Sequence, residues 1–268
     1  MLTYKRKLIL TKVQESRIDS WIDTCRFVYN MALEIRIAAW RNKQQSVHRF
    51  ELMKQLTEIR GIDWIGDVPI SSLQNAINRL DSSYNNFFWG GGFPRWANKK
   101  TYKSIIFKQS NDTILRIVEG GINIPKLKRV KFFKDSEIKG KIKYVTIIKE
   151  ITGFFICITT DAVKSIQNQD ESQILGIDMG VAVFATDSNG GHIENPRHFK
   201  HYEQKLRIQN RSLARKKKGS NSWKRQCKKL AKLHHKIANV RRNFLHKEST
   251  RIAKENNTVK ISKKIFQS

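Results

Sequence analysis

Acidic residues are scarce in this sequence, and cysteines scarcer still. Among 268 residues, 23 Asp and Glu stand against 52 Lys and Arg, a formal net charge of +29. Solubility needs far less, and self-repulsion on that scale is tolerable when the partner is a polyanion, which points to DNA or RNA. The three cysteines, Cys25, Cys157 and Cys227, are isolated, so they supply neither a disulfide framework nor half of a C-x-x-C zinc site. That excludes a structural zinc ribbon and redox chemistry, and leaves small apolar side chains in a reducing compartment. No run of about 18 apolar residues occurs, and the N-terminus, MLTYKRKLILTK, has no apolar stretch leading to a small-residue cleavage site. The expectation is a soluble, cytoplasmic, nucleoid-associated protein with no membrane partner and no small-molecule substrate.

What is present has two textures. Residues 2 to 10 alternate loosely around Tyr4, Leu8 and Ile9 and predict one short strand, after which Thr11 offers a helix cap. Ile18, Trp21, Cys25, Val28, Ala32, Ile35 and Ala39 then recur at steps of three and four, which puts them on one face of a long amphipathic helix. A weaker helix is expected over residues 46 to 60. Ser71 and Gln74 form a capping-box pattern after Pro69, and Leu73, Ile77, Leu80, Tyr84 and Phe87 make the stripe of a second strong helix. Gly90, Gly91 and Gly92 stop it, and Phe93, Pro94, Arg95 and Trp96 follow as an aromatic, basic loop.

From Lys103 to Thr160, short alternating runs such as Ile142, Tyr144, Thr146 and Ile148 indicate antiparallel β structure, a small barrel or sandwich. One strand precedes the helices and the rest follow them, so the helical block reads as an insertion into a single β domain. Residues 161 to 173 are polar and read as a linker. A new domain then opens with ILGIDMGVAVFATDSNGGHIE: two strands, an Asn-Gly turn and a third short strand. Two long basic helices come next, the second with Trp223, Cys227, Leu230, Leu233, Ile237, Val240 and Phe244 at helical spacing, and the start of TVKISKKIFQS suits one more strand.

Two features carry chemistry. Residues 200 to 251 hold eighteen Lys or Arg against two acids, Glu203 and Glu248. A solvated helix interleaves signs, and like charges at i, i+3 and i+4 cost a few tenths of a kcal/mol per pair, so this bias asks for phosphate. Candidate contacts are Arg215, Lys216, Lys217, Lys218, Lys224, Arg225, Lys228, Arg241 and Arg242. The second feature is Asp178, set in the apolar run Ile174 to Met179, where a carboxylate is expected to be paired, hydrogen-bonded or metal-bound. One Asp is not an active site, because two-metal phosphodiester cleavage needs several carboxylates around ions about 3.5 to 4 Å apart.

Five segments, CRFVYNMAL at 25 to 33, VPISSLQNAINRLDSSYNNFF at 68 to 88, INIPKL at 122 to 127, GIDMGVAVFATDSNG at 176 to 190 and RNFLHKESTRIAKEN at 242 to 256, together resemble the TnpB family of transposon-encoded RNA-guided nucleases. The resemblance runs in order over nearly the whole chain. It implies an α+β multidomain fold: a β-barrel wedge domain (1–10 and 97–165), an inserted helical recognition domain (11–96) and a truncated RNase H-like RuvC domain (172–268). It also implies guide RNA and double-stranded target DNA with a flanking motif as partners, with no cofactor and no magnesium needed for binding. Asp178 matches the first RuvC carboxylate, but Ser262 stands where the family has its Glu, and the third acid has no counterpart before Ser268. The expectation that follows is a protein that is not an enzyme, most similar to the TnpB-like nuclease-dead repressors; a residual nuclease and a transposon remnant are the alternatives.

The resemblance further suggests which residues read DNA. Ser72, Gln74, Asn75 and Asn78 are short polar side chains suited to base edges, with ordinary cap and surface roles as the alternative. Trp89, Arg95 and Trp96 are expected contacts, while Tyr84 and Phe87, on the apolar stripe, read as core rather than as stacking platforms.

Overall fold

A computed structural model describes residues 1–108, 115–133, 136–163, 174–256 and 258–262. It divides into two compact units, Met1–Lys164 and Ser165–Ser268. Most of the expected linker, residues 164–173, lies outside the described residues.

The first unit runs β1 (Leu2–Ile9), α1 (Lys12–Lys43), α2 (Arg49–Ile59), α3 (Asp63–Gly66), α4 (Ile70–Phe88), β2 (Ser104–Lys108), β3 (Arg116–Val118), β4 (Gly121–Ile124), β5 (Lys128–Phe132), β6 (Ile142–Glu150) and β7 (Gly153–Thr160). Thr11 caps α1 as its position predicts: Thr11 Oγ1 accepts from the Gln14 amide at 3.2 Å, and Gln14 Oε1 accepts from the Thr11 amide at 3.1 Å. The side-chain Nε2 of Gln14 donates to the carbonyls of Leu127 and Arg129, so the same cap fastens α1 to the turn between β4 and β5. The α1 stripe is buried from Ile18 to Ala32.

α4 does not use the Ser71 capping box. Pro69 occupies the cap position without a side-chain bond, and Ser71 and Ser72 are buried inside the first turn. The reason is packing: this turn lies against β2, where Ser72 Oγ donates to the Ile106 carbonyl at 2.7 Å. At the other end Gly90 takes φ +88°, a conformation costly for side-chain-bearing residues, and the Trp89 and Gly91 amides close onto the carbonyls of Asn85 and Asn86.

The seven strands form one sheet in the order β2-β6-β7-β1-β5-β4-β3. β1 pairs antiparallel with β7, Lys5 opposite Cys157, and with β5, Leu8 opposite Phe132, so the opening strand sits mid-sheet and the helices are inserted between paired strands. Among the described residues the expected barrel is not closed. β2 and β3 end the order without pairing, because alternation along a strand decides which face is buried but not whether two distant edges meet. Trp21 of α1 packs on Phe107 of β2, ring centroids 6.0 Å apart, at the centre of the core.

A clasp at Asp67 holds the helices in place. Arg17 donates to both carboxylate oxygens, at 2.6 and 3.3 Å, and Trp21 Nε1 donates to Oδ2 at 2.6 Å. Lys126 Nζ caps the carbonyls of Gly66 and Asp67, both at 2.8 Å. The Arg17 hydrogen bonds, helped by that of Trp21 and opposed by burial, hold the Asp67 carboxyl below the usual carboxylate range. A group depressed in the folded state contributes stability above its unfolded pKa, about 3.9, and loses it as pH falls toward the folded value. Urea midpoints of the parent and Asp67→Asn proteins are therefore expected to differ at pH 6 and to converge near pH 3; a constant gap would contradict the clasp.

The second unit runs β8 (Ile174–Met179), β9 (Val183–Asp187), β10 (His192–Glu194), α5 (His198–Ala214), α6 (Asn221–Glu255) and β11 (Thr258–Ile261). The strand order is β10-β9-β8-β11; the first three are antiparallel, and β11 returns parallel to β8 with Ile261 level with Ile177. Asp187 Oδ1 accepts from the amides of Asn189 and Gly191 and so shapes the expected turn. Leu175, Ile177 and Ala185 form a small core with Ile252 and Val259 packed on it, and Phe184 meets Phe244 of α6 edge to face at 5.0 Å. No helix among the described residues is long and apolar enough to cross a membrane.

Candidate nucleic-acid interface

α5 and α6 form an antiparallel hairpin. Leu206 is buried between them, and Gln226 Nε2 donates to the Gln209 carbonyl and to Gln209 Oε1, at 3.1 and 2.7 Å. Ser220 Oγ accepts from the Trp223 amide and starts α6, whose 35 residues span about 52 Å. The apolar stripe from Trp223 to Phe244 is half-buried throughout, and the charged positions between its members face outward. Arg215, Lys217, Lys218, Lys224, Arg225, Lys228, Arg241 and Arg242 are exposed, and Lys216 is half-buried at the turn. Residues 204 to 247 contain sixteen Lys or Arg and no acid; the flanking Glu203 and Glu248 pair with Arg207 and Arg251. A rod of one sign is thus presented to solvent, with the geometry and the charge to lie along a phosphate backbone.

Asp178 lies in β8, in the apolar run as expected, but it is exposed there, opposite Thr186 of β9. Strand alternation accounts for this: Leu175 and Ile177 turn to the small core, so Asp178 turns to the other face. The Ser262 amide donates to the Ile177 carbonyl at 2.9 Å, directly after β11, so Ser262 stands beside Asp178 on the neighbouring strand. Among the described residues no group of three or more His, Cys, Asp or Glu could hold a metal ion. A single carboxylate does not fit a two-ion cleavage centre, and the described residues alone do not make one.

In the first unit the base-reading set divides. Ser72, 2% exposed and bonded to Ile106, has no hydroxyl to offer a base edge, a correction that follows from the packing of α4 on β2. Gln74, Asn75 and Asn78 are half-buried on α4; Asn75 Oδ1 already accepts from Arg79 Nε at 3.2 Å. Trp89, Arg95 and Trp96 are exposed. Their loop is pinned: Asn30 of α1 exchanges two hydrogen bonds with the Ala97 backbone, at 3.0 and 2.8 Å. Tyr84 is half-buried, and Phe87 lies at the surface, closing a ring cluster with Phe88 and Phe93.

Sequence reasoning missed three contributors. Asn30 sits on the polar side of α1, and only its place in the CRFVYN segment singles it out. Arg79 bridges α4 to β2 through the Ser104 carbonyl and hydroxyl, at 3.2 and 3.1 Å, with its guanidinium over Tyr102. Trp40, off the α1 stripe and 57% exposed, is the signal that could have marked the aromatic end of α1.

Comparison with known proteins sharpens the picture. A family profile of IS605 OrfB proteins, described as "Probable transposase", matches residues 156–265, and the "Helix-turn-helix domain" profile of the same family matches residues 1–45. In the structure the latter span holds β1 and one uninterrupted helix, α1. The chain is 30% identical over 252 residues to the "Putative RNA-guided DNA endonuclease InsQ" of Escherichia coli (strain K12), covering 92% of this chain and 62% of that protein. It is 28% identical over 267 residues to a "Putative RNA-guided DNA endonuclease" of Streptomyces pristinaespiralis, covering 96% and 65%. The chain thus spans less than two thirds of the length of these relatives. The fold resembles that of Cas12f1 in a complex with its sgRNA and target DNA, with a TM-score of 0.56 at 11% identity over 96% of this chain and 66% of the other. The expectation of a protein that is not an enzyme, which rested on Ser262 and on the missing third acid, is overturned: the relatives that align over 92% and 96% of this chain are named as putative endonucleases. Segment by segment, the chain belongs to the TnpB family, the OrfB proteins of IS605-type elements.

Proposed function

We propose that this chain binds guide RNA and target DNA within an RNA-guided DNA endonuclease of the TnpB type. The observation that carries the reading is the basic hairpin of α5 and α6, free of acids from residue 204 to 247, built into a chain that aligns over nearly its full length with putative RNA-guided DNA endonucleases. Three antiparallel strands followed by β11 parallel to β8 support an RNase H-like, RuvC-type reading of residues 172–268. Residues 1–10 with 97–165 act as the wedge, and 11–96 as the recognition helices. Asp178 is the carboxylate this sheet offers to cleavage. Gln74, Asn75 and Asn78 face the duplex beside the target, and Arg95 with the hairpin cations holds phosphates. A promoter-occluding repressor rests on an inactive site and loses its ground with that correction.

The test is guide exchange. The intact protein is assembled with an RNA whose terminal segment has been rewritten, and DNA binding and cutting are followed together. Binding should move to the DNA matching the new segment, and EDTA should leave its affinity within about twofold, because phosphate contacts by Lys and Arg need no metal. Asp178→Ala, at an exposed position, should also leave binding within about twofold while lowering cleavage more than about tenfold. Binding indifferent to the RNA sequence would sink the reading.

A further inference from the structure

We propose that a cleft at the C-terminal end of α4 receives an unpaired base of the target DNA; the inference rests on the DNA-binding reading above and names one subsite within it. The cleft encloses about 700 Å³ between the ends of α1 and α4 and the segment joining α1 to α2. Trp40, Phe87, Phe88 and Phe93 line it, with Trp40 at 57% and Phe88 at 75% exposure. Phe93 stands edge-on to Tyr84 and Phe87, at 5.7 and 5.3 Å, which holds the wall rigid. Four large uncovered rings around one concavity mark a surface that is covered in use.

Charge selects the occupant. Arg36 lies over the Tyr84 ring at 4.8 Å and donates to Asp81 Oδ1 at 2.8 Å, so the one acid lining the cleft is already spent on a cation. Arg41 and His48 remain at the rim. A second copy of this chain would bring a net charge of +29 to a basic rim. A nucleotide instead offers a flat ring to the aromatic walls and a phosphate to the rim, which is the chemistry of a stacking platform.

Position along α4 selects DNA. Gln74, Asn78, Asp81, Asn85 and Phe88 recur at steps of four and three, so two of the polar positions proposed to face the flanking duplex, Gln74 and Asn78, share one helix face with the cleft. From Asn78 to Phe88 the helix rises about 15 Å, roughly four base steps at about 3.4 Å each. A base that leaves the duplex where the strands part would meet the rings.

The test uses the whole protein and a dT oligonucleotide of about 12 residues carrying one 2-aminopurine, with an equal-length U oligonucleotide and a blunt duplex in parallel. Trp40→Ala and Phe88→Ala, both at exposed rings, should each weaken dT binding about tenfold and abolish quenching of the 2-aminopurine. The salt slope should not change, because no charge is removed, and Phe88→Trp should restore binding. Affinities within about twofold of the parent would overturn the proposal, as would a loss confined to the U oligonucleotide. So would substitutions that dissolve a dimer in sedimentation while DNA affinity is unchanged. Failure of the parent protein to bind any oligonucleotide would overturn DNA binding and the cleft together, whereas intact parent binding with indifferent variants would overturn the cleft alone.

Discussion

Replacing Arg215, Lys216, Lys217 and Lys218 together with Ala is expected to weaken nucleic-acid binding by about a hundredfold to a thousandfold at near-physiological salt, and to lower the slope of log affinity against log salt by about 3 to 4. The four cations cluster at the turn of the α5–α6 hairpin, within a 44-residue stretch free of acids. Each phosphate they neutralise releases a counterion, so loss of affinity and loss of slope should appear in proportion. Folding should not suffer. Three of the four side chains are exposed, Gly219 keeps its φ of +88° in the turn, and removing like charges relieves repulsion along the helices. Fluorescence anisotropy across a salt series, with thermal melting as the control, checks both halves. An unchanged slope would mean that the hairpin cations face solvent and that phosphate is held elsewhere.

Trp21→Ala should destabilise the first unit by about 3 to 5 kcal/mol, at least a hundredfold in its folding equilibrium. Trp21 is fully buried against Phe107, where it joins α1 to β2, and its indole N–H also serves the Asp67 clasp. Truncation leaves a cavity between helix and sheet and removes one donor from a carboxylate. Trp21→Phe separates the two losses: it keeps most of the ring and forfeits one hydrogen bond to a carboxylate that Arg17 still holds, so its cost should be nearer about 1 to 2 kcal/mol. Hydrogen exchange over residues 1–164 reads the change directly. Equal costs for the two variants would contradict the packing role assigned to the ring.

How much of this was legible depended on how local the controlling interaction is. The α1 stripe, the α4 stripe as far as Leu80, the Thr11 cap and the turn at Asn189 are set by neighbours within four residues, and the structure has them where periodicity and cap chemistry put them, whereas Phe87, expected in the core, lies at the surface. β11 was legible as a strand, while its parallel pairing with β8, across α5 and α6, was not. Closure of the barrel was not legible, because it depends on whether β2 and β3 meet, and nothing in either strand encodes the distance between them. Ser71 and Gln74 look like a cap in isolation, but β2 claims the first turn of α4 for the core. Asp178 looked enclosed because Ile174 to Met179 is apolar as a string; folded, one face of β8 carries the core and the other carries the carboxylate.

The functional surfaces divide along the same line. The hairpin was legible because a run of one charge sign needs no tertiary information. The aromatic cleft was not, because Trp40 and Phe93 lie 53 positions apart and converge only when the Asn30–Ala97 bonds fold the glycine-terminated loop back onto α1.

The most direct test of guided binding is to express the protein with the DNA that flanks its gene, purify it at high salt, and sequence both the RNA that accompanies it and the genomic DNA crosslinked to it. One discrete RNA, with a terminal segment complementary to the recovered DNA, is the predicted result. A heterogeneous mixture of RNA that washes away as salt rises, with crosslinked DNA sharing no match to any of it, would contradict the account.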